Sequence, residues 1–279
     1  MRIIDCRLRP PSRSFLTTSY FTDVPRISQM AGAMHMNPPA SFLAGSMEMM
    51  LAEMDEAGVE AGLVGGRISP VLGSVSNEDV EAICLERPDR FMGLAIVDPS
   101  RRRDAIQTAE HYKAQGFKGV LIEPGLLSRP LVIDDRRIYP FYAYCEDEGV
   151  PVFIMAGGNA GPDAAFTNPE HIDRVAADFP GLKLVSLHGS WPWVSQIIHV
   201  CFRRPNVYLC PDMYLVGRMV GYEDYVRAAN GFLAERLLFA TSYPVIPLDR
   251  SVAVACELGL TDYALQRFLS ANAAELLGL

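Results

Sequence analysis

Eight short apolar runs, each followed by a longer helical pattern, are the feature that most constrains the fold of this chain. Strands that alternate with helices form β-α-β units, and the strands of such units pair in parallel. Eight units within 279 residues favour a closed barrel over an open sheet. The strand candidates are "RIIDCRL", "VEAGLVGG", "FMGLAIV", "FKGVLIE", "VPVFIMA", "LKLVSLH", "NVYLCPD" and "RLLFATS".

These runs predict one α/β domain over residues 1–279, a distorted TIM (β/α)8 barrel. Helix candidates lie near 46–57, 76–86, 101–115, 135–148, 168–179, 191–202, 221–231, 248–258 and 262–276. Residues 10–45 are the exception, because they contain five prolines and no clean period. A long irregular segment in a compact domain is usually a functional loop. Since this one follows the first strand, we expect it to form a lid over the barrel mouth.

The composition indicates a cytoplasmic protein that acts on a small molecule. A net charge of −8 and an absence of long Lys/Arg clusters argue against nucleic acid. No apolar run has the length of a membrane helix or of a signal peptide. The six cysteines show no C-x-x-C spacing, so we expect free thiols packed as small hydrophobes in a reducing compartment. The apolar composition and frequent Met favour a homo-oligomer.

In a (β/α)8 barrel the chemistry takes place at the C-terminal ends of the strands. Arg7 and Arg9 follow the first strand and share one face, because strand side chains alternate. That face is expected to point into the barrel mouth. The other site candidates at strand ends are Arg67, Glu123, Met155, Asn159, His188, Asp212, Ser242 and Tyr243.

The chain resembles the amidohydrolase-2 branch of the amidohydrolase superfamily, whose members are metal-dependent TIM-barrel hydrolases, decarboxylases and hydratases. The stretches that carry the resemblance are "IIDCRLR", "GFKGVLIEPG", "VPVFIMAGG", "LVSLHGSWPW", "NVYLCPDMY" and "RLLFATSYP", in family order. The family usually has His-x-His after strand one, a histidine after strand five, another after strand six and an aspartate after strand eight. This sequence has Arg7 and Arg9, Met155, His188 and Ser242 at those positions.

The substitutions predict that the chain holds no catalytic metal and needs no cofactor. A divalent metal binds neutral imidazoles and carboxylates. A guanidinium keeps its proton at any useful pH and offers no lone pair. The thioether of Met155 suits Cu(I) rather than zinc or manganese, and His188 alone cannot hold an ion.

The arginines at the mouth allow two interpretations. Glu123 and Asp212 could neutralise them in internal ion pairs, because an unpaired buried charge costs several kcal/mol. Alternatively, Arg7, Arg9 and Arg67 could bind substrate carboxylates through paired hydrogen bonds. Three guanidinium groups exceed what two acids need, which favours a substrate that carries one or more carboxylates.

Metal-independent hydrolysis is the predicted activity, because the resemblance includes lactonases that act on pyrone dicarboxylates without a metal. His188 is the preferred general base, since an unperturbed imidazole titrates near neutral pH. Asp212 would orient it, and Glu123 would act as an acid or hold an arginine. The open alternatives are a packing role for His188 and a turn-capping role for Asp212.

The remaining predicted site residues would bind the substrate. Ser242 and Tyr243 would donate hydrogen bonds or fill space, and Asn159 lies in the glycine-rich stretch "GGNAGPD". Two other functions stay open: a lyase, hydratase or decarboxylase on the same scaffold, and a non-catalytic protein that binds a small carboxylate or associates with partners. A site closed entirely by ion pairs would favour the non-catalytic alternative.

Overall fold

Seven parallel strands form one continuous sheet in the computed structural model, which describes residues 2–279. Each strand pairs with the next one along the chain, so the sheet order equals the sequence order. This topology confirms the predicted α/β class and the TIM-barrel-like fold. The strands are β1 (Ile3–Leu8), β2 (Val59–Gly65), β3 (Phe91–Ile96), β4 (Val120–Ile122), β5 (Val152–Met155), β6 (Leu184–Leu187) and β7 (Val207–Cys210).

The eighth apolar run lies where the eighth barrel strand was predicted, between β7 and β1. Leu237 forms a parallel bridge with Leu209 of β7, and the Leu238 amide donates to the Leu209 carbonyl at 2.8 Å. On its other side, the Cys6 amide donates to the Phe239 carbonyl at 2.9 Å. These few bonds join the two edges of the sheet, although they are too sparse for a regular strand.

The segment between β1 and the first barrel helix is helical rather than irregular, which corrects the expectation for residues 10–45. It contains a 3-10 helix (Arg13–Thr17) and the helices α1 (Ser19–Thr22), α2 (Val24–Ala33) and α3 (Ala40–Ala44). Two of the five prolines that obscured the pattern lie at helix starts, Pro25 in the first turn of α2 and Pro39 at the N-cap of α3. Proline is tolerated there because first-turn amides have no helical partner.

The remaining helices follow the strands as the sequence predicted. Their punctuation is also as expected, since the Asn168 side chain accepts from the Glu170 amide at 3.0 Å and caps a helix that starts at Pro169. A π-helical turn (Arg267–Ala271) joins the last two helices. The helices are α4 (Met47–Ala57), α5 (Asn77–Glu86), α6 (Arg102–Ala114), α7 (Tyr139–Asp147), α8 (Pro169–Asp178), α9 (Val194–Arg203), α10 (Met213–Val216), α11 (Tyr222–Ala229), α12 (Leu248–Cys256), α13 (Asp262–Gln266) and α14 (Asn272–Leu277).

Buried apolar side chains form two clusters, one inside the barrel and one between the strands and the helices. The six cysteines are free, and Cys6 and Cys210 pack within the inner cluster. None of the helices in residues 2–279 has the length and apolar character that a membrane crossing requires. Side chains of the inner cluster include Ile4, Cys6, Leu63, Leu94, Ile96, Leu121, Phe153, Val185, Leu187, Cys210 and Leu238.

Candidate active site

Most of the predicted site residues lie at one end of the barrel, because the C-terminal ends of parallel strands meet there. Arg7 lies in β1, Arg67 and Glu123 follow β2 and β4, His188 follows β6 and Asp212 follows β7. All five side chains are buried. The barrel therefore places two cations, two acids and an imidazole in one low-dielectric region, where their charges interact strongly.

His188 and Asp212 form a buried pair. The His188 Nδ1 atom lies 2.9 Å from Oδ1 and 2.8 Å from Oδ2 of Asp212. Burial lowers the pKa of His188, and Arg7 adds to this effect while Asp212 opposes it. Burial alone would raise the pKa of Asp212, but His188 and Arg7 outweigh it and lower that pKa. At neutral pH the pair is therefore a carboxylate that accepts from Nδ1–H, which leaves Nε2 with a free lone pair.

Arg7 sits between the ends of β1, β5 and β7. Its Nη1 atom lies 3.7 Å from Oδ2 of Asp212, and its Nη2 donates to the Met155 sulfur at 3.3 Å. Nη1 has no hydrogen-bond partner among the described residues. The guanidinium thus contacts Met155 at the end of β5 and Asp212 after β7.

Arg67 forms a bidentate ion pair with Glu123. Nε and Nη2 of Arg67 donate to the two carboxylate oxygens at 3.0 and 2.7 Å, which is the bidentate geometry of an arginine–carboxylate pair. Burial alone would lower the pKa of Arg67, but the Glu123 carboxylate raises it. Of the two interpretations of the arginines at the mouth, the internal ion pair is therefore the one observed for Arg67. Removing one partner of such a pair costs about 3–5 kcal/mol.

Of the three arginines at the mouth, Arg9 is the one without a carboxylate partner among residues 2–279. Its Nη1 donates to the carbonyl oxygens of Ser242 and Tyr243 at 3.2 and 3.1 Å. No acceptor in the described chain takes its Nε or Nη2. Burial lowers the pKa of Arg9 to about 10, so the group stays charged at neutral pH. Its remaining edge carries the two parallel donors that a carboxylate accepts.

Tyr20 of α1 packs against two of these arginines, and the sequence analysis did not single it out. The Cζ atoms of Arg9 and Arg67 lie 4.3 and 5.0 Å from the centroid of its ring. Burial alone would raise the pKa of the phenol, but Arg9, Arg67 and Arg7 together lower it to about 7. No spacing rule connects this residue with the strand ends, because it lies in the proline-rich segment.

A cavity of about 550 Å³ opens beside this cluster. Its lining includes Arg9, Tyr20, Asn159, His188 and Ser242. That volume suits a small organic ligand, because ligand pockets usually measure about 300–1,000 Å³. A second cavity of about 30 Å³ lies deeper, next to Arg7, Arg67 and Glu123, and has room for about one water molecule.

Four predicted residues do not line the larger cavity: Arg7, Arg67, Glu123 and Asp212. The Tyr243 side chain is also turned away from it, because its hydroxyl lies 2.7 Å from the Ser41 hydroxyl. The cavity is therefore lined by Arg9, Tyr20, Asn159, His188 and Ser242. The acids Glu123 and Asp212 and the arginines Arg7 and Arg67 lie behind these residues.

The backbone is strained where it presents these groups. His188, Asp212 and Ser242 have positive φ values of 61°, 43° and 59°. Non-glycine residues rarely adopt such angles, and each costs about 1–3 kcal/mol. The strain occurs at three successive strand ends that face one another, which is a pattern typical of functional sites.

Aromatic packing fixes the orientation of the imidazole. The Tyr214 ring meets His188 edge-on at a centroid distance of 5.2 Å and stacks on Trp191 at 4.6 Å. Gly157 allows the backbone of residue 157 to pack closely against His188, because a Cβ atom there would lie 2.8 Å from the His188 Cβ. Trp191 thus packs on Tyr214 shortly before the start of α9 at Val194.

Comparison with known proteins identifies the family. A family model described as Amidohydrolase matches residues 72–279. The chain belongs to the amidohydrolase family. Among solved structures, an uncharacterized TIM-barrel protein from Bordetella bronchiseptica shares 46% identity and a TM-score of 0.96, and the match covers 100% of this chain and 99% of that chain. No curated protein shows significant similarity to the sequence.

Two decarboxylases share the fold of this amidohydrolase-family chain at low identity. The 5-carboxyvanillate decarboxylase of Novosphingobium aromaticivorans, complexed with manganese, shows 15% identity and a TM-score of 0.68 over 100% of this chain and 96% of that one. The 2,6-dihydroxybenzoate decarboxylase from Rhizobium shows 16% identity and a TM-score of 0.68, over 99% and 98%. At these identities the likeness concerns the fold.

The residues present do not fit the metal that the family implies. Guanidinium groups occupy the first two ligand positions, Arg7 and Arg9, and the Asp212 carboxylate is bonded to His188. In residues 2–279 no group of three or more His, Cys, Asp or Glu side chains is arranged to hold an ion. A metal-independent site stays a prediction, because it rests on this set of donors.

Proposed function

We propose that this amidohydrolase-family chain is a metal-independent, lactonase-like hydrolase that acts on a small carboxylate-bearing compound. One observation carries the proposal: His188, which is held by Asp212 behind it, lines the same cavity as Arg9, a guanidinium that no carboxylate of the described chain neutralises. A base and an anion-binding group around one cavity are the two elements that hydrolysis of an anionic ester or lactone requires.

Arg9 would hold the substrate carboxylate through its Nε and Nη2 donors. With the carboxylate fixed there, a lactone or ester carbonyl would lie in the cavity within reach of His188. Binding energy at the non-reacting carboxylate would then orient the reacting bond. Asn159 and Ser242 line the same cavity and are the proposed donors to the remaining polar atoms of the substrate.

His188 would act as the general base. Its Nε2 would take a proton from water as the water oxygen adds to the carbonyl carbon. The acyl–oxygen bond then breaks, and the proton passes from Nε2 to the departing oxygen, which yields a hydroxy acid from a lactone. Asp212 would hold the ring through Nδ1 and stabilise the transient imidazolium, as the acid of a hydrolase triad does.

Arg7 would supply the fixed positive charge at the centre of the mouth. It lies beside Asp212 and outside the large cavity, so it acts on the base and not on the substrate. This role revises the sequence prediction that Arg7 and Arg67 bind substrate. Glu123 is likewise proposed as the partner of Arg67 instead of as a catalytic acid.

Decarboxylation is the second candidate, and the fold neighbours that act on hydroxybenzoates favour it. That reaction requires an acid that protonates the carbon left by CO2. A His188 whose pKa is lowered by burial is neutral at pH 7, which suits a base better than an acid. Hydrolysis therefore agrees better with the electrostatics of the site.

An activity screen tests the proposal. Chelator-treated protein is assayed against carboxylate-bearing lactones and esters, and against hydroxybenzoates as decarboxylase substrates. We expect hydrolysis, with a decrease in kcat of about 10²–10⁴-fold in H188N. The matched control is H199N, because His199 is exposed on α9, away from the strand ends.

Two results would contradict the proposal. Release of CO2 without any lactone or ester hydrolysis would favour the decarboxylase, and full activity in H188N would remove the proposed base. Replacement of Arg9 by Met tests the binding role separately, since it should raise KM for anionic substrates while R129M, at an exposed arginine, should not.

A further inference from the structure

The cationic cluster at the mouth has an unusual internal neighbour. Tyr20 lies between Arg9 and Arg67, and it lines both the large cavity and the small one beneath it. Tyr20 therefore forms part of the boundary between the open cavity and the buried charges.

The charges of the cluster do not balance when Tyr20 is neutral. Glu123 neutralises Arg67, and Asp212 is the nearest carboxylate to Arg7, which leaves Arg9 uncompensated. A phenolate at Tyr20 would remove that surplus from inside the protein. A carboxylate from outside, seated on the free edge of Arg9, would remove it equally well.

We propose that Tyr20 is a specificity-determining residue of the Arg9 subsite, because its neutral phenol leaves the one positive charge that admits a carboxylate, whereas its phenolate cancels that charge and excludes the ligand. This inference rests on the proposed function, since it assumes that Arg9 binds the substrate carboxylate. According to this inference, an anionic ligand binds to the Arg9 subsite together with one proton, which the Tyr20 phenolate takes up.

The direction of the pH dependence follows from the phenol. In the ligand-free site the arginines hold the pKa of Tyr20 at about 7. A bound carboxylate offsets Arg9 and adds a negative charge nearby, so the pKa of the phenol must rise in the complex. Affinity is therefore greatest below pH 7 and falls as the pH rises, by at most about tenfold per unit, because one proton is linked to binding.

Other titratable groups near Tyr20 do not mimic this behaviour. Burial lowers the pKa of His188, so it is already neutral above pH 7, and burial raises the pKa of Tyr214 far above that range. Asp5 is the exception, since burial raises its pKa to about 7, but it lines neither cavity. The charged and titratable groups around the phenol are Arg7, Arg9, Arg26, Arg67, Glu123, His188, Asp212 and Tyr214.

Calorimetry with benzoate and with acetate tests the inference, using benzamide as the neutral control. In wild-type protein, affinity for the anions should fall by up to about tenfold per unit above pH 7, and buffers of different ionisation enthalpy should reveal uptake of up to one proton. Y20F should bind with little pH dependence, because it cannot ionise. Y263F, at an exposed tyrosine, should behave as wild type.

The outcomes separate this inference from the proposed function. An unchanged pH profile in Y20F, or binding by wild type without proton uptake, overturns the role of Tyr20 while the Arg9 subsite survives. Unaltered binding in R9M, or no binding of either anion at any pH, overturns the subsite itself. If Y20F does not fold, the tyrosinate absorbance of ligand-free wild type decides, and the absence of a titration near pH 7 overturns the inference.

Discussion

The guanidinium of Arg7 controls the protonation of the acid–base pair beside it. Its Nη1 atom lies 3.7 Å from Oδ2 of Asp212. A fixed cation there disfavours the imidazolium form of His188 and favours the carboxylate form of Asp212. Arg7 thereby adds to the effect of burial, which is the main cause of the lowered pKa of His188.

Two substitutions should move the pKa of His188 in opposite directions. R7M removes a cation that disfavours the imidazolium, so that pKa should rise. D212N removes the carboxylate that favours it, so that pKa should fall further below 6.5. Histidine ring resonances followed through a pH titration measure both shifts.

The other four histidines are internal controls in the same spectra. They should keep their wild-type titrations in both variants, because they lie away from Arg7. Shifts of equal sign in R7M and D212N would show that packing, not charge, sets the pKa of His188.

At this scale the sequence predicted some residues and could not predict others. His188 and Asp212 follow apolar runs directly, so the rule that barrel chemistry occurs at strand ends located both. The pairing of Arg67 with Glu123 was one of two open alternatives, because sequence order does not reveal which strand ends are in contact. Tyr20 was missed, since nothing in the sequence of the predicted lid shows which of its side chains face the arginines.

The helices between β1 and α4 are held against the barrel by a small polar cluster around Ser41 of α3. The Ser41 amide donates to Glu53 of α4 at 2.8 Å, and its hydroxyl contacts both Glu53 and the Tyr243 hydroxyl. Tyr243 follows the eighth run. The carbonyl of the preceding residue, Ser242, accepts a hydrogen bond from Arg9. The cluster thus connects the segment that carries Tyr20 with the strand ends.

Removing the Ser41 hydroxyl should loosen this segment. S41A leaves the buried Tyr243 hydroxyl and a carboxylate oxygen without a partner, which should lower the free energy of unfolding by about 1–3 kcal/mol. Urea unfolding measures the loss. S28A, on the exposed side of α2, should stay within about 0.5 kcal/mol of wild type. A stability of S41A equal to that of S28A would contradict the role of the cluster.

Helix and strand positions were predictable where the hydrophobic period was strong. All of the barrel helices lie near their predicted positions, because each alternates with an apolar run. Residues 10–45 were predicted as irregular, since prolines interrupt every window there. Pro25 and Pro39 in fact lie at helix starts. An analysis of hydrophobic period treats such prolines as interruptions of a helix.

As a whole molecule, the chain has the barrel of its family, and residues 2–279 contain no group of three or more His, Cys, Asp or Glu side chains arranged to hold an ion. We expect purified protein to carry well under one equivalent of divalent metal per chain, measured by elemental mass spectrometry. Chelator should leave its thermal unfolding temperature unchanged, because a ligand stabilises a protein only where it binds the folded state. Stoichiometric zinc or manganese would contradict the prediction.

The reciprocal variant provides the control for that prediction. R7H, R9H, M155H and S242D together restore the residue types that the resemblance places at the metal site. Added manganese should then raise the unfolding temperature of the variant and not that of wild type. An unresponsive variant would mean that the fold, and not only these four side chains, differs from that of metal-binding relatives.

Asp5 has a consequence for how this protein is made in the cell. Its carboxylate accepts hydrogen bonds from the amide and hydroxyl of Thr241, a residue 236 positions away. A ribosome must therefore synthesise the chain beyond Thr241 before that buried acid can meet these donors. Such distant contacts slow folding and prolong the exposure of unpaired edges. We expect the nascent chain to depend on chaperones until the sheet closes on itself.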